Sequence, residues 1–397
     1  MSEHTQTHRS DPITEGLDVY QVGGSVRDEL LGLPVTDKDY VVVGSDPETM
    51  KARGFQSVGQ DFPVFLHPKT HDEYALARLE RKQGHGYHGF EFETGETVTL
   101  EQDLSRRDLT INAMAIDSEG QLIDPYHGRL DLAQGILRHV SDAFREDPVR
   151  VLRLARFATR FHSFSVADST VALCHQMQAS GELSYLVPER VWQEMAKALM
   201  YPQPSRFVSV LIELGALSSI WPQLDASRHT PAFDQALRAL DLAGEDADVS
   251  LEVRFALLCL ALSSEAIASS CDHFRVPNQP RYWAKWASDR LVALPGLAQR
   301  QPKEILTFIQ SFDGLRQPER LAQVQALAHA YFGTTQDHAS DALDLIDRDI
   351  VLIEQSIQAI QQIDTKPWVL EGLSGQEMAT VMDKARLACI EQCQSAR

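Results

Sequence analysis

The sequence has few of the features that mark a membrane or secreted protein. No apolar run approaches the ~18 residues of a membrane-spanning helix, and the polar N-terminal segment lacks the basic and then apolar pattern of a signal peptide. The five cysteines are odd in number and scattered without metal-ligand spacing, which suits reduced thiols. We therefore expect a cytoplasmic protein that makes no contact with a membrane.

Positive charge is also scarce. The chain holds 37 Lys and Arg against 56 Asp and Glu, which gives a net charge of −19. Residues 1–160 hold 18 of the basic and 27 of the acidic side chains, so neither half is basic overall. This balance argues against a broad nucleic-acid-binding surface. Any RNA partner must be bound by local patches, with an affinity that falls as salt rises.

Glycines and acids are concentrated at residues 19–44, which read VYQVGGSVRDELLGLPVTDKDYVVVG. An apolar strand leads into Gly23 and Gly24, which allow a tight turn and a close approach of the backbone to a ligand. Ser25 is expected to cap the following helix, and Asp28, three residues later, completes a capping-box-like pair. The free amide groups at such a helix start form an anion site.

Two carboxylates follow this turn. Asp37 and Asp39 precede the apolar residues 40–43, and residues two apart in a strand point to the same face. Two negative charges at such a short separation raise the free energy unless a cation binds between them, and Mg²⁺ prefers carboxylate and phosphate oxygens. The glycine pair or the acid pair alone is more often part of a solvated loop. The two together predict metal-assisted phosphoryl transfer.

These patterns resemble the head-domain signature of the class II tRNA nucleotidyltransferase and bacterial poly(A) polymerase family. The matching segments are GGSVRD at residues 23–28 and DKD at residues 37–39. The resemblance is closest to the γ-proteobacterial CCA-adding type and implies a polymerase-β-like head. By this resemblance Asp37 and Asp39 are the catalytic residues and hold Mg²⁺, while Gly24 and Arg27 hold the nucleotide triphosphate.

Further stretches of the head carry candidate site residues. RRDLTINA, which begins at Arg106, resembles the family's second motif and places Arg107 on the nucleotide; a guanidinium fork suits triphosphate oxygens. Glu73 opens an apolar strand and is a candidate third metal ligand, although a surface acid is the commoner role. His85 and His88 match metal-ligand spacing, but the neighbouring glycines favour a mobile loop near the site.

Arginines recur every three or four residues in residues 146–161, EDPVRVLRLARFATRF. A solvated amphipathic helix would give the same pattern. The segment resembles the family's amino-acid template motif, and this resemblance implies that Asp147 and Arg150 select CTP and ATP. Cytosine and adenine share an amino donor next to a ring-nitrogen acceptor, and hydrogen-bond readout discriminates well between bases. By the same resemblance, Arg153 and Arg156 help to bind the nucleotide.

From residue 166 onward the pattern is helical nearly throughout. The resemblance weakens in the last third, where many γ-proteobacterial members carry a His-Asp phosphohydrolase motif. Here residues 260–264 read LALSS and contain no such pair. We therefore predict that the chain has no metal-dependent phosphatase or phosphodiesterase activity.

The expected fold class is α+β, with a small polymerase-β-like nucleotidyltransferase head followed by an all-helical neck, body and tail. Four segments are expected: a flexible N-terminus at 1–18, the head at 19–138, a helical neck with the nucleotide template at 139–225, and a helical body and tail at 226–397.

The resemblance implies template-independent addition and repair of the 3′-terminal CCA of tRNA from CTP and ATP, with release of pyrophosphate. The nearest alternative is a poly(A) polymerase, or an enzyme that adds only CC or only A. A degenerate RNA-binding module is an alternative from another class. The expected partners are the tRNA 3′ end, CTP and ATP, and the chain is expected to be a monomer or a weak homodimer.

Overall fold

The computed structural model describes residues 11–35, 37–58, 64–82, 90–94, 97–334, 339–370 and 372–396. The chain forms two compact units. The first comprises residues 1–187 and 210–220, and the second comprises residues 188–209 and 221–397. The candidate ligands His85 and His88 lie outside the described residues.

Strands are concentrated in the first part of the chain, and helices follow them. The strands in the described ranges are β1 (Asp18–Val22), β2 (Asp39–Val43), β3 (Gln56–Val58), β4 (Val64–Leu66), β5 (Glu73–Leu76), β6 (Arg78–Lys82), β7 (Phe90–Thr94), β8 (Ala115–Ile116), β9 (Leu122–Ile123), β10 (Ile136–Leu137) and β11 (Ser165–Val166). The helices are α1 (Gly24–Leu30), α2 (Pro47–Ala52), α3 (Leu100–Ser105), α4 (Gly128–Gln134), α5 (Val149–Arg160), α6 (Asp168–Ala179), α7 (Pro188–Leu199), α8 (Ser205–Glu213), α9 (Leu217–Ile220), α10 (Pro222–Ser227), α11 (Pro231–Gly244), α12 (Leu251–Cys259), α13 (Ser264–His273), α14 (Asn278–Arg290), α15 (Pro302–Ser311), α16 (Leu321–Phe332), α17 (Ala339–Gln361), α18 (Lys366–Leu370) and α19 (Gly375–Ser395). Short 3₁₀ helices cover Thr110–Asn112, Asp142–Glu146, Glu182–Tyr185, Leu291–Ala293, Leu297–Gln299 and Pro318–Arg320.

Seven strands form one mixed sheet in the order β3-β4-β5-β2-β1-β8-β9. Strand β2 lies at its centre, antiparallel to β1 and parallel to β5. Val41 and Val42 belong to separate apolar clusters, which lie on opposite faces because successive side chains in a strand alternate. Burial on both faces explains why residues 40–43 are a continuous apolar run. This mixed-sheet head followed by helices confirms the expected α+β class.

One local expectation about the glycine turn is wrong. Helix α1 begins at Gly24, with Gly23 as its N-cap and no side-chain capping bond. Ser25 is already the second helical residue, and its hydroxyl donates to the carbonyl oxygen of Val22 at 3.1 Å. The positive φ of Gly23, 76°, makes the turn into the helix, a conformation that glycine adopts at little cost.

Gly128 packs directly against backbone of the 3₁₀ helix Thr110–Asn112. A Cβ at Gly128 would lie 2.2 Å from the carbonyl oxygen of Thr110, and this backbone atom is fixed by its neighbours. We therefore expect Gly128→Ala to destabilise the first unit by roughly 3 kcal/mol, measured as a lower denaturation midpoint. Gly375→Ala is the matched control, because Gly375 is also the first residue of a helix and has open space around an added Cβ. An equal effect of the two substitutions would contradict the prediction.

The second unit is helical, and its interior includes a buried guanidinium. Arg254 of α12 is 1% exposed and donates to backbone carbonyl oxygens of Val249, Leu199, Tyr201 and Asp246. These bonds offset the cost of burying a charge, so the side chain has a structural role. Among the described residues, no helix is both long enough and apolar enough to cross a membrane.

Candidate active site

The Gly23-Gly24 turn is approached closely by two guanidinium groups. A Cβ at Gly23 would lie 3.0 Å from Nη1 of Arg107, and a Cβ at Gly24 would lie 3.3 Å from Nη2 of Arg27. The two glycines therefore make room for the arginines as well as forming the turn. The structure thus brings together three of the residues that the sequence predicts to hold a triphosphate: Gly24, Arg27 and Arg107.

Arg107 is held beside this turn by the buried carboxylate of Asp103, on helix α3. Nη2 of Arg107 lies 3.3 Å from Oδ2 of Asp103, and Nη2 of Arg106 lies 2.6 Å from Oδ1. Burial raises the pKa of Asp103, but the charges of Arg106 and Arg107 outweigh it and leave the pKa below its usual value. Asp103 therefore stays ionised and holds the positively charged guanidinium of Arg107 next to Gly23, as the binding of phosphate requires.

The candidate carboxylates meet at the start of the central strand. Asp39 of β2 and Glu73 of β5 are paired residues of the parallel strands. The pKa of Asp39 is raised by burial first and then by the charge of Glu73; Asp37 adds to this rise and Arg107 opposes it. The structure therefore places the charge of Glu73, which the sequence offers only as a candidate, next to Asp39.

The acids around Asp39 favour the binding of a cation. Glu73 and Asp37 both disfavour the ionised form of Asp39, and a cation bound at Asp39 would remove that penalty. Across the residues that the structure describes, no three His, Cys, Asp or Glu side chains converge into a complete ligand set. A divalent cation held by two of these carboxylates would take its other ligands from water and substrate phosphate.

Asp108 connects the second motif to helix α5. Its Oδ1 accepts from Nδ2 of Asn112 at 2.9 Å, and its Oδ2 accepts from Nε of Arg153 at 2.7 Å. Burial would raise the pKa of Asp108, but Arg153 and the hydrogen bond from Asn112 hold it at about 2. The folded protein therefore strongly favours the charged carboxylate at this position.

The lowered pKa of Asp108 makes stability depend on pH. The carboxylate stabilises the fold fully above the unfolded pKa of about 3.9, and this contribution disappears as pH falls through about 2. We expect Asp108→Asn to lower the free energy of unfolding by about 2 kcal/mol at pH 7 and by roughly half as much at pH 3. Denaturant titrations at both pH values measure this difference. A penalty for the variant that does not change with pH would contradict it, and exposed Asp142, replaced by Asn, serves as the control.

Arg27 lies deeper than its expected role at a triphosphate implies. Its Nη1 donates to Oδ1 of Asn112 at 2.5 Å and its Nε to Oδ1 of Asp28 at 2.9 Å. The guanidinium carbon lies 5.1 and 5.2 Å from the ring centroids of Phe157 and Phe161. These partners surround the guanidinium of Arg27, and direct contact between Arg27 and a nucleotide stays a prediction.

The predicted nucleotide-selecting pair lies at the start of α5, with Asp147 two residues before the helix and Arg150 in its first turn. Oδ1 of Asp147 accepts from the amide of Val149 at 3.0 Å, and Nη1 of Arg150 donates to the carbonyl oxygen of Ala143 at 2.8 Å. Both contacts restrict the side chains before any nucleotide binds. Arg156 is mostly buried, and its guanidinium carbon lies 4.3 Å from the ring centroid of Phe157. The helix is therefore packed into the unit rather than solvated.

Sequence reasoning did not find the contacts that join these motifs. Asp108 and Asn112 stand four apart, but nothing in the spacing pairs Asp108 with Arg153, 45 residues later. The contact of Arg160 with Asp28 spans 132 residues. Charge complementarity was the only signal, and it does not choose among the many acids of the chain.

The fold and the site together define a nucleotidyltransferase. A mixed sheet carries neighbouring carboxylates at the start of its central strand, beside a glycine turn and an arginine fixed by Asp103. This combination places a cation site next to a phosphate site, which is the arrangement that nucleotidyl transfer needs.

Comparisons with known proteins agree with the assignment to the nucleotidyltransferases. A family model described as "Poly A polymerase head domain" matches residues 19–138, and one described as "Probable RNA and SrmB-binding site of polymerase A" matches residues 163–228. The chain is 42% identical to the Multifunctional CCA protein of Laribacter hongkongensis, over 94% of this chain and 98% of that protein. The chain belongs to the family of CCA-adding tRNA nucleotidyltransferases and bacterial poly(A) polymerases.

Solved structures of CCA-adding enzymes share the fold. A CCA-adding enzyme in apo form II gives a TM-score of 0.72 at 23% identity, covering 95% of this chain and 88% of that one. The Bacillus stearothermophilus enzyme in complex with CTP gives 0.68 at 25% identity, covering 95% and 89%. The Thermotoga maritima enzyme complexed with tRNA gives 0.69 at 22% identity, covering 96% and 91%.

Proposed function

We propose that this chain adds and repairs the 3′-terminal CCA of tRNA, using CTP and ATP and releasing pyrophosphate. One observation carries the proposal: a single unit holds Asp39, the glycine turn and the fixed Arg107, together with helix α5, at whose start Asp147 and Arg150 lie. The family relative named for CCA, and the related enzymes solved with CTP and with tRNA, support this choice of substrates.

The carboxylates and Arg107 have separate roles in this reaction. CCA-adding nucleotidyltransferases depend on a metal, and we assign Mg²⁺ to Asp37 and Asp39 with Glu73 beside them. When bound, such an ion activates the attacking hydroxyl and stabilises the leaving pyrophosphate. Arg107, held by Asp103, and the backbone at Gly24 bind the triphosphate. The fixed guanidinium is in place before the negative charge develops, and it therefore lowers the barrier without reorganisation.

Asp147 and Arg150 select the base. A carboxylate accepts from the amino groups of cytosine and adenine, and a guanidinium donates to their adjacent ring nitrogen. Uracil and guanine present a carbonyl acceptor and a ring N–H donor instead. With these bases, the carboxylate of Asp147 would face an acceptor and the guanidinium of Arg150 would face a donor. Because Asp147 and Arg150 are already held by Val149 and Ala143, little freedom is lost when the nucleotide binds. Arg153 and Arg156 support the nucleotide from the following turns.

Incubation with tRNA that lacks its 3′ end and with each labelled nucleotide tests the proposal. Incorporation of C, C and then A is the expected result. Long runs of A would identify a poly(A) polymerase, and incorporation of a single nucleotide type would identify a CC-adding or A-adding enzyme. RNA binding without incorporation would identify an RNA-binding module.

The cellular setting and assembly are part of the same proposal. We place the protein in the cytoplasm as a monomer or weak homodimer, with its five cysteines as free thiols. Light scattering over a range of protein concentrations tests the assembly. The lack of phosphatase activity stays a prediction, and phosphatase activity that disappears on substitution of Cys259 or Asp272 would overturn it.

A further inference from the structure

An ion pair that the proposed chemistry does not use joins α1 to the last turn of α5. Nη2 of Arg160 donates to Oδ2 of Asp28 at 3.0 Å, between positions 132 residues apart. The other oxygen of Asp28 accepts from Nε of Arg27 at 2.9 Å. Asp28 therefore binds a guanidinium with each oxygen, one from its own helix and one from α5. We call this pair the Asp28–Arg160 clamp.

Two aromatic rings at the end of α5 fix the geometry of the clamp. The rings of Phe157 and Phe161 are nearly parallel, 6° apart in orientation, with centroids 6.5 Å apart. Arg27 packs against both rings, and the guanidinium carbon of Arg160 lies 5.1 Å from the Phe161 ring. Planar guanidinium groups on aromatic faces have a defined orientation. The clamp therefore fixes the rotation of α5 about its axis as well as its distance from α1.

A second attachment lies two helical turns earlier. Arg153 of α5 donates to Asp108, which is bonded through Asn112 to Arg27. Arg153 and Arg160 are seven residues apart and therefore lie on the same side of the helix. Two attachments along one side restrict tilt, whereas one attachment would act as a pivot.

We propose that Asp28 and Arg160 are positioning residues for nucleotide selection. The proposal rests on the assignment of Asp147 and Arg150 to base recognition. The clamp joins the far end of α5 to the helix that follows the glycine turn, and β1, which leads into that turn, is paired with β2 and therefore with Asp39. The base-reading end of α5 is thus held relative to the carboxylates through a continuous set of contacts.

Helix geometry gives the sensitivity of this arrangement. Without the clamp, Arg153 is the remaining attachment and acts as the pivot, and Arg150 lies three residues before it, ~4.5 Å at about 1.5 Å per residue. A tilt of about 13° around Arg153 moves Arg150 by ~1 Å, which is enough to weaken a hydrogen bond to a base edge. The pair itself is partly exposed, at 27% for Arg160 and 13% for Asp28, and such ion pairs add little to global stability. Loss of the clamp should therefore change selectivity more than melting temperature.

The test uses the full chain and four variants: Arg160→Met, Arg160→Lys, Asp28→Asn and the double variant Asp28→Asn/Arg160→Met. Exposed Arg129, replaced by Met, is the matched control in the same unit. Three quantities are measured for CTP and UTP: the dissociation constant of the nucleotide without tRNA, and kcat and KM for incorporation.

We expect Arg160→Met to lower the preference for CTP over UTP about tenfold, chiefly by weakening CTP binding, with little change in melting temperature. Arg160→Lys should retain part of the preference, and the double variant should resemble the single one because the two side chains act together. An unchanged preference with an equal loss of kcat for both nucleotides would overturn the proposal, and so would a fall in melting temperature alone. If the parent protein fails to add C or A to tRNA, the proposed function is wrong, while the binding measurements still decide the role of the clamp.

Discussion

Asp39→Asn should lower kcat for CMP incorporation by at least ~10³-fold. The substitution removes the carboxylate at the start of β2 that lies next to Glu73 and Asp37, and an amide is a poor ligand for a divalent cation. The fold should remain intact, because the pKa of Asp39 is raised by burial and by Glu73. Removing a disfavoured charge does not weaken packing, so the melting temperature should stay constant or rise.

Activity and thermal unfolding should be measured on the same preparation. Glu48→Gln is the control, since it removes one exposed acid from the same unit and should leave incorporation unchanged. Retention of more than about a tenth of the activity by Asp39→Asn would exclude Asp39 as an essential ligand. A large fall in melting temperature would mean that the carboxylate has a structural role.

Asp147→Asn should lower kcat/KM for CTP about 100-fold and reduce the ratio of kcat/KM for CTP to that for UTP. The new amide still accepts from the amide of Val149, as the carboxylate does at 3.0 Å, and helix α5 therefore keeps its start. The substitution changes the group that faces the base, because the side-chain NH₂ of Asn is a donor and lies beside the amino donor of cytosine. The same donor suits the carbonyl of uracil.

Asp142→Asn makes the same chemical change at an exposed position five residues earlier and should leave both nucleotides unaffected. Incorporation assays with CTP, ATP, UTP and GTP supply the comparison. Equal losses with all four nucleotides would contradict a role in base selection, because an edge-specific contact cannot weaken matched and mismatched bases alike.

The central strand and its acids could be predicted because their signals are local. A continuous apolar run is typical of a strand buried on both faces, and Val41 and Val42 pack into the two clusters as the run implies. The pairing of Asp39 with Glu73 could not be predicted, because it depends on the register between β2 and β5. A shift of one residue would have pointed Glu73 to the other face.

The glycine turn illustrates a different limit. Ser25 followed by Asp28 has the spacing of a helix cap, but the positive φ of Gly23 starts the helix two residues earlier than a serine cap would. Arg27 then falls on the buried side of α1, against Phe157 and Phe161. Shifts of one or two residues at a helix start are below what propensity resolves, and here such a shift changes the surroundings of a predicted site residue.

The parallel pairing of β2 with β5 also bears on when the site forms during folding. Positions 39 and 73 meet only after the intervening chain has closed a long loop, and such non-local contacts are slow to form. The contact between Asp28 and Arg160 spans 132 residues and requires α5 to have been synthesised. We therefore expect the site to form only after residue 160 has left the ribosome and the sheet has acquired its hydrogen-exchange protection.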